Sequence, residues 1–148
     1  MEKRVVITGI GAITPIGNTA DETWKGIKEK RCGIDKISLF DATSYKTSLA
    51  AEVKDYDQLQ YFEAKQAKRL DRSSQFAIIA AREAFKDSGI TEENTDLERV
   101  GIFISSGIAG LRTIQEQCEI KVLKGHNRVS PMFIPMSIAN MPAGNVAI

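Results

Sequence analysis

The sequence has few of the imidazole and thiol side chains that bind zinc. Its 148 residues contain one histidine, His126, and two cysteines, Cys32 and Cys118. A structural zinc site takes about four thiolate or imidazole ligands, and this set cannot supply them. Two cysteines this far apart are more typical of reduced thiols in a cytoplasmic protein than of a disulfide. We therefore expect no metal, no disulfide and no cofactor.

Long apolar runs and an excess of either charge are also missing. No apolar run approaches the roughly 18 residues of a membrane span. The run Val5–Ile7 near the start is too short for a secretory signal. A net charge of +1, from 20 basic and 19 acidic residues, argues against a dedicated nucleic-acid-binding protein. With 43% hydrophobic residues, the composition predicts a globular cytoplasmic domain spanning residues 1–148.

Three segments have the composition of β-strands. Residues 4–9 and 99–105 are β-branched and almost continuously apolar, and each is followed by glycine-containing turns. This composition predicts two buried strands. Residues 48–53 alternate weakly and predict an exposed strand. Because helices separate these segments, we expect an α/β fold with parallel strand pairing.

Two outer helices are predicted from capping and periodicity. Thr19 can cap a helix with Glu22 at the capping-box position, and this helix is expected to end at residues 31–33. Leu111–Leu123 has an apolar side chain at helical spacing on each turn. Cys118 lies on that apolar face, so we expect it to be a core thiol rather than a reactive one.

The central helix is predicted over residues 71–88. Asp71 or Ser73 can cap it, and Gly89 can end it. Its middle, Phe76–Ala81, is apolar without interruption, whereas a helix covering one face of a sheet would carry a polar stripe. The pattern indicates burial on nearly every side, as in the middle layer of a sandwich.

Two glycine-containing turns suggest nucleotide-binding loops but do not complete the motifs. Gly9-Ile10-Gly11 follows a predicted strand, yet the third glycine of the dinucleotide fingerprint is replaced by Thr14. We therefore interpret this segment as a tight turn. Residues 106–110 lack the Gly-Lys-Ser/Thr ending of a phosphate loop, which favours a turn that allows close backbone approach.

Four basic residues are spaced three or four apart, which would place them on one helical face: Lys65, Lys68, Arg69 and Arg72. Their pattern alone fits a solvated face, or a docking patch for an acidic partner. No Ser-His-Asp or Cys-His set can be assembled from the sequence. Catalysis is therefore not predicted from the residues themselves.

The final segment, Met136–Ile148, is small and apolar with Pro142 inside it. If Asn140 caps a helix there, Pro142 falls in the first turn, where proline is tolerated; otherwise it kinks the segment. An apolar segment that ends without a stop signal is atypical of a natural terminus. This pattern suggests an interrupted chain.

Several of these segments together resemble a known family. The chain is similar to β-ketoacyl-acyl-carrier-protein synthases, the condensing enzymes of fatty-acid synthesis, and more to the type II, elongating members. The likeness runs from Lys3 to Ile148 and is carried by R-V-V-I-T-G-I-G-A-I-T-P-I-G-N, F-D-A-T-S-Y, K-R-L-D-R, D-S-G-I, G-I-F-I-S-S-G-I-A-G-L and V-S-P-M-F-I-P-M-S-I-A-N-M-P-A-G.

This resemblance implies a fold and a reaction. The fold would be thiolase-like, with this chain forming most of the first half of an αβαβα sandwich. The reaction would move an acyl group from carrier-protein phosphopantetheine to a cysteine, and decarboxylated malonyl-carrier protein would then attack that thioester. The family's nucleophile and two histidines would lie outside this chain, which alone is expected to be inactive. A homodimer is also implied.

Five residues match functional positions of the family. Ile108 matches a position that gates the acyl pocket, and Phe133 matches a pocket-lining residue near the dimer interface. Lys65, Lys68 and Arg69 match a basic patch that receives the acidic acyl-carrier protein.

Two other interpretations remain open at this point. The parent could be a polyketide ketosynthase or its inactive chain-length partner, and a nucleophilic cysteine in the following segment would favour the catalytic subunit. Alternatively, the chain could be a complete small α/β module that binds an acidic protein through its basic residues.

Overall fold

The computed structural model describes residues 4–148, which fall into two compact units. The first unit contains the chain up to Tyr56 together with Arg82–Ile90, and the second contains Asp57–Ala81 and Thr91–Ile148. No helix among these residues is long and apolar enough to cross a lipid bilayer.

Helix α1 (Ala20–Lys28) opens the first unit and begins as the capping pattern predicts. The Thr19 hydroxyl oxygen accepts a hydrogen bond of 3.1 Å from the Glu22 amide, and the Glu22 carboxylate accepts one from the Asn18 amide. The helix ends at Lys28, earlier than predicted, because Lys30 adopts a left-handed conformation with φ 55°.

A two-stranded antiparallel sheet follows in the first unit. Strand β1 (Ile34–Lys36) pairs with β2 (Leu49–Ala51), with Ile34 opposite Ala51. The exposed strand predicted over residues 48–53 is confirmed in its central residues. The Lys54 ammonium lies 2.8 Å from the Asp35 carboxylate, and this hydrogen bond lowers the pKa of Asp35.

Neither predicted buried strand forms, so that part of the prediction is wrong for residues 4–148. Residues 4–9 and 99–105 carry no strand, and the described sheet has no parallel pair. Val5 is 92% exposed and Phe103 is 96% exposed. A buried strand needs neighbouring strands to satisfy its backbone and to cover its side chains. None of the described residues supplies such neighbours.

The second unit is helical. Its elements are α2 (Ala64–Ala67), the first ten residues of α3 (Arg72–Ser88), α4 (Leu111–Lys124), α5 (Phe133–Ser137) and α6 (Met141–Ala147), with 3₁₀ turns at Gln58–Gln60, Leu97–Arg99 and His126–Arg128. Its buried apolar side chains are Phe62, Ala67, Leu70, Ile78, Ile79 and Ala109.

The central helix α3 forms as predicted. The Asp71 carboxylate accepts hydrogen bonds from the Ser73 amide and hydroxyl, which identifies Asp71 as the cap. Gly89 follows the helix with φ 67°. Every residue of the apolar middle, Phe76–Ala81, is buried or half-buried. The predicted burial of this segment is therefore confirmed.

Helix α4 has the predicted length but turns a different face inward. Val122 is 83% exposed, and Leu111 and Cys118 are also exposed, so the prediction of a core thiol is wrong. The inward positions are Thr113, which is buried, and Ile114, Gln117 and Ile120, which are half-buried. Of the predicted apolar stripe, Ile114 is half-buried while Leu111, Cys118 and Val122 are exposed, so the inward face mixes polar and apolar side chains. Both cysteines are free thiols.

Helix α6 contains Pro142 near its start. Asn140 is the N-cap and Pro142 lies within the first turn, where it costs no helical hydrogen bond. Of the two alternatives left open by the sequence, the structure therefore has the first, in which Asn140 is the cap and Pro142 lies in the first turn.

Candidate functional site

All five residues matched to functional positions lie in the second unit. Lys65, Lys68 and Arg69 are exposed, and none of them is in an ion pair with another of residues 4–148. Their ammonium and guanidinium groups are therefore available to an acidic surface.

The single helical face predicted for the basic residues is wrong. Helix α2 ends at Ala67, so Lys68 is its C-cap and Arg69 lies beyond it. Arg72 belongs to α3, is half-buried, and places its guanidinium 4.9 Å from the centre of the Phe76 ring. The helix ends early because the chain tightens there, with the Arg69 amide bonding the Gln66 carbonyl. We call Lys65, Lys68 and Arg69 the basic patch.

Gln75 holds the backbone of the basic patch. Its side-chain amide is buried and donates to the carbonyl oxygens of Ala67 and Leu70, each at 3.1 Å. It also donates to the side-chain oxygen of Gln58 at 3.2 Å. The two carbonyls lie on either side of Lys68 and Arg69 in sequence. The first turns of α3 therefore fix the segment that presents these charges.

Asp71 makes a second buried connection in this unit. One carboxylate oxygen accepts the two bonds from Ser73, at 2.9 Å and 2.8 Å, and the other accepts a bond of 2.7 Å from the Thr113 hydroxyl. Asp71 and Thr113 are both buried. This hydrogen bond joins the start of α3 to the first turn of α4.

Ile108 lies just before α4 and is 65% exposed. The Ser106 hydroxyl donates to the Ile108 carbonyl oxygen at 3.1 Å. Two residues later, Gly110 packs so closely on α5 that an added Cβ would lie 2.5 Å from the Met136 carbonyl oxygen. The interpretation of residues 106–110 as a turn of close backbone approach is confirmed at Gly110. We call Ser106–Gly110 the gate segment.

Phe133 begins α5 and is half-buried. The chain before it is anchored to α4, because the Ser130 amide donates to the Gln117 side-chain oxygen at 2.7 Å. The Ser130 hydroxyl in turn accepts a bond from the Met132 amide at 3.1 Å. Helix α4 therefore positions both the gate segment, which precedes it, and the segment that carries Phe133.

The glycine-containing loop of the first unit is already occupied by carboxylates. The Ile10 amide donates to Asp87 at 2.9 Å, and the amides of Ala12 and Ala20 donate to the two oxygens of Glu83 at 2.8 Å and 2.9 Å. A nucleotide phosphate would need such amides free. This geometry argues against a dinucleotide site, but residues 9–11 form no turn, so the prediction of a tight turn there is wrong.

The thiols and the histidine lie in three different elements. Cys32 follows α1 in a loop, Cys118 lies in the middle of α4, and His126 lies in a 3₁₀ turn. Within residues 4–148, no three His, Cys, Asp or Glu side chains are grouped to hold a metal ion.

Sequence reasoning missed the buried polar residues that organise this site. Asp71 was identified only as a helix cap, while Gln75 and Thr113 were not singled out. The sequence does give some indication of these two residues. Gln75 directly precedes an apolar run that is predicted to be buried, and Thr113 lies among alternating polar and apolar residues without a capping role. Neither pattern identifies the partner of a hydrogen bond made between distant segments.

Almost the whole chain matches known proteins. The family model described as "Beta-ketoacyl synthase, N-terminal domain" matches residues 2–148. The chain is 44% identical over 147 residues to 3-oxoacyl-[acyl-carrier-protein] synthase 2 of Synechocystis sp., and 45% identical over 149 residues to the protein of that name from Vibrio harveyi. Each match covers 99% of this chain and 35% of the relative. The chain thus spans about a third of these relatives' length.

Solved structures show the same fold. The ishigamide ketosynthase/chain length factor matches with a TM-score of 0.77 at 26% identity, covering 96% of this chain and 36% of the other. A type II polyketide ketosynthase, described in complex with its acyl-carrier protein and bound to the hexaketide, matches with a TM-score of 0.80 at 24% identity, covering 99% and 39%. The thiolase-like α/β fold expected from the sequence is confirmed.

Proposed function

The chain belongs to the beta-ketoacyl synthase family through its N-terminal domain, and from that premise we propose that its parent protein is an elongating 3-oxoacyl-[acyl-carrier-protein] synthase of fatty-acid biosynthesis. The observation that carries the proposal is the 44% and 45% identity to two such synthases, across 99% of the chain. We further propose that residues 1–148 are the first part of its thiolase-like domain.

The proposed reaction is an acyl transfer followed by a decarboxylative condensation. A cysteine thiolate attacks the acyl thioester of the carrier protein, and the phosphopantetheine thiol leaves. Malonyl-carrier protein then loses carbon dioxide, and the resulting carbanion attacks the acyl-enzyme carbonyl. The 3-oxoacyl product forms on the carrier protein, and the enzyme thiolate leaves.

We assign the nucleophile to a part of the polypeptide other than this chain. Reactive cysteines are commonly activated at a helix N-terminus or beside a cationic group. Cys118 lies in the middle of α4 and Cys32 lies in a loop after α1, so neither has the helix N-terminal position. The residues of this chain would bind and position substrate rather than react with it.

The basic patch is proposed to receive the acyl-carrier protein. The exposure of Lys65, Lys68 and Arg69 and their freedom from ion pairs within residues 4–148 support this role. Positive surface charge speeds the encounter with an acidic partner and orients it. A ketosynthase of the same fold is described in complex with its acyl-carrier protein. Two further proposals rest on the family alone: the parent is a homodimer, and it is cytoplasmic.

Ile108 and Phe133 are proposed to contact the acyl chain. They lie on the gate segment and at the start of α5, and Gly110 brings those two elements into contact. A large side chain at a pocket entrance limits how long an acyl chain can enter. We propose that Ile108 sets this limit and that Phe133 lines the wall.

A polyketide ketosynthase is the second candidate, favoured by the structural likeness to the ishigamide ketosynthase/chain length factor. The identity there is 26%, compared with 44% and 45% for the fatty-acid synthases. The fatty-acid assignment is therefore preferred.

The test uses the full-length protein in a condensation assay with acyl- and malonyl-carrier protein. We expect turnover in the wild type, and Lys68→Glu should raise the apparent KM for the carrier protein by about tenfold with little change in kcat. Lys46→Glu makes the same change of charge at an exposed lysine outside the patch and should leave KM unaltered. A higher salt concentration should reduce the difference in apparent KM between the wild type and Lys68→Glu, because salt screens the charges.

Two results would count against the proposal. Absence of condensation by the full-length wild type would reject the assigned activity. Equal KM values for the Lys68→Glu and Lys46→Glu variants would reject the basic patch as the docking surface while leaving the activity intact.

A further inference from the structure

Four buried polar side chains are described in the second unit, and three of them bond to other segments without a part in the proposed chemistry. Asp71 is 7% exposed, Gln75 is 4% exposed and Thr113 is 6% exposed. A buried carboxylate is costly unless donors surround it. Asp71 has three donors, from the amide and hydroxyl of Ser73 and the hydroxyl of Thr113. Such a fully paired group holds the elements that contribute its donors in one arrangement.

The hydrogen bonds at the start of α3 also hold the backbone of the basic patch. Asp71 comes two residues after Arg69, and the Gln75 amide bonds the carbonyls of Ala67 and Leu70. The backbone that presents Lys68 and Arg69 is therefore tied to the same first turns of α3 in which the Asp71 carboxylate lies.

The hydrogen bond from Thr113 to Asp71 also reaches the gate segment through the first turn of α4. Thr113 lies in the first turn of α4, and the Ile114 amide bonds the Gly110 carbonyl at 2.8 Å. Gly110 has little room to shift toward α5, because even an added Cβ would lie 2.5 Å from the Met136 carbonyl oxygen. The position of Thr113 consequently sets the position of the residues just before α4, including Ile108.

We propose that Asp71 is a positioning residue that, through its hydrogen bond to Thr113, fixes the gate segment relative to the basic patch. The proposal rests on the function proposed above, since it assigns these two segments to acyl selection and carrier-protein docking. In this role Asp71 contacts neither the carrier protein nor the acyl chain. It determines whether the docked carrier protein delivers its acyl chain to a correctly placed Ile108.

The hydrogen bond between the Thr113 hydroxyl and Asp71 can be removed by a single substitution. Thr113→Val keeps the side chain's shape but leaves one buried oxygen of Asp71 without its donor. Helix α4 should then shift at its first turn, and the gate segment should move with it. Thr113→Ser keeps the hydroxyl and should restore the connection.

The experiment measures acyl-chain selectivity in the full-length synthase. The readouts are the ratio of kcat/KM for a long and a short acyl-carrier protein and the apparent KM for the carrier protein. We expect Thr113→Val to change the ratio by about fivefold and to raise KM, and Thr113→Ser to return both close to wild type. Ile79→Val, a buried truncation in α3 outside the network, controls for lost stability and should leave the ratio unchanged.

The outcomes separate the two proposals. A folded, active Thr113→Val enzyme with the wild-type ratio and KM would overturn the positioning role, as would an equal change caused by Ile79→Val. Should Thr113→Val not fold, Asp71→Ser keeps a capping oxygen but lacks the second oxygen that reaches Thr113, so it must show the same change in ratio, and a wild-type ratio there would reject the role. Absence of condensation in the wild type would instead reject the proposed function, and the positioning role with it.

Discussion

At the scale of single residues, Gly110 is constrained in two independent ways. Its φ of 63° lies in the left-handed region that residues with a side chain rarely adopt, and a Cβ would lie 2.5 Å from the Met136 carbonyl oxygen. Gly89 has nearly the same φ, 67°, but a Cβ added there would have no neighbouring atom within 4 Å. The pair allows conformational strain and steric overlap to be measured separately.

We predict that Gly89→Ala lowers the free energy of unfolding by about 1–2 kcal/mol, the cost of the left-handed conformation. Gly110→Ala should lower it by at least about 1 kcal/mol more, because the Met136 backbone must move. Urea unfolding of the full-length protein measures both changes. Equal losses for the two variants would show that the close approach at Gly110 has no energetic consequence.

At the scale of secondary-structure elements, the loop after residues 4–9 is held to the last turns of α3 by two carboxylates. Glu83 accepts from Ala12 and from Ala20 at the start of α1, and Asp87 accepts from Ile10. One side chain therefore joins the loop, α1 and α3. The first unit has little buried apolar surface, with Ala42 its one core side chain among the described residues, so these bonds carry much of its order.

We predict that Glu83→Gln destabilises the first unit by about 1–3 kcal/mol, because an NH₂ group would then face one backbone amide and leave it without an acceptor. Glu22→Gln is the matched control, since the Glu22 carboxylate is exposed and accepts a single amide bond. Its effect should be within about 0.5 kcal/mol. Hydrogen exchange of the Ala12 and Ala20 amides reports the change locally. Unchanged protection of both amides in Glu83→Gln would contradict this role.

At the scale of the whole molecule, residues 4–148 expose many large apolar side chains. Val5, Ile7 and Phe103 in the two segments predicted as strands are among the most exposed. Exposure of so many large apolar side chains is atypical of a monomeric soluble protein and indicates surface that another segment or partner covers. For a protein whose relatives are about three times as long, we propose that the rest of the polypeptide covers it.

We predict that a polypeptide of residues 1–148 binds a fluorescent dye specific for apolar surface, aggregates, and shows no condensation. The full-length protein should bind far less dye per molecule and remain soluble. Dye fluorescence and light scattering at equal molar concentration compare the two. A soluble, cooperatively unfolding monomer that binds no dye would instead support the small binding module considered from the sequence.

The sequence by itself determined the features that depend on neighbouring residues. The cap at Thr19 and the stop at Gly89 were predicted correctly, because each is decided within about four residues. The cap at Asp71 and the place of Pro142 in a first turn were each one of two alternatives that the sequence left open. The family and its thiolase-like fold were also evident from sequence, since their motifs extend in order along the chain.

Only the tertiary structure decided which faces are buried and which segments are joined. Contacts with other segments decide which face of α4 is inward and where α2 ends. They also decide that residues 99–105 form no strand, because no neighbouring strand is described to pair with them. Burial and strand pairing are properties of contacts between distant residues, which periodicity does not record. The hydrogen bond between Asp71 and Thr113 spans 42 residues, so its partners become visible only when the chain is folded.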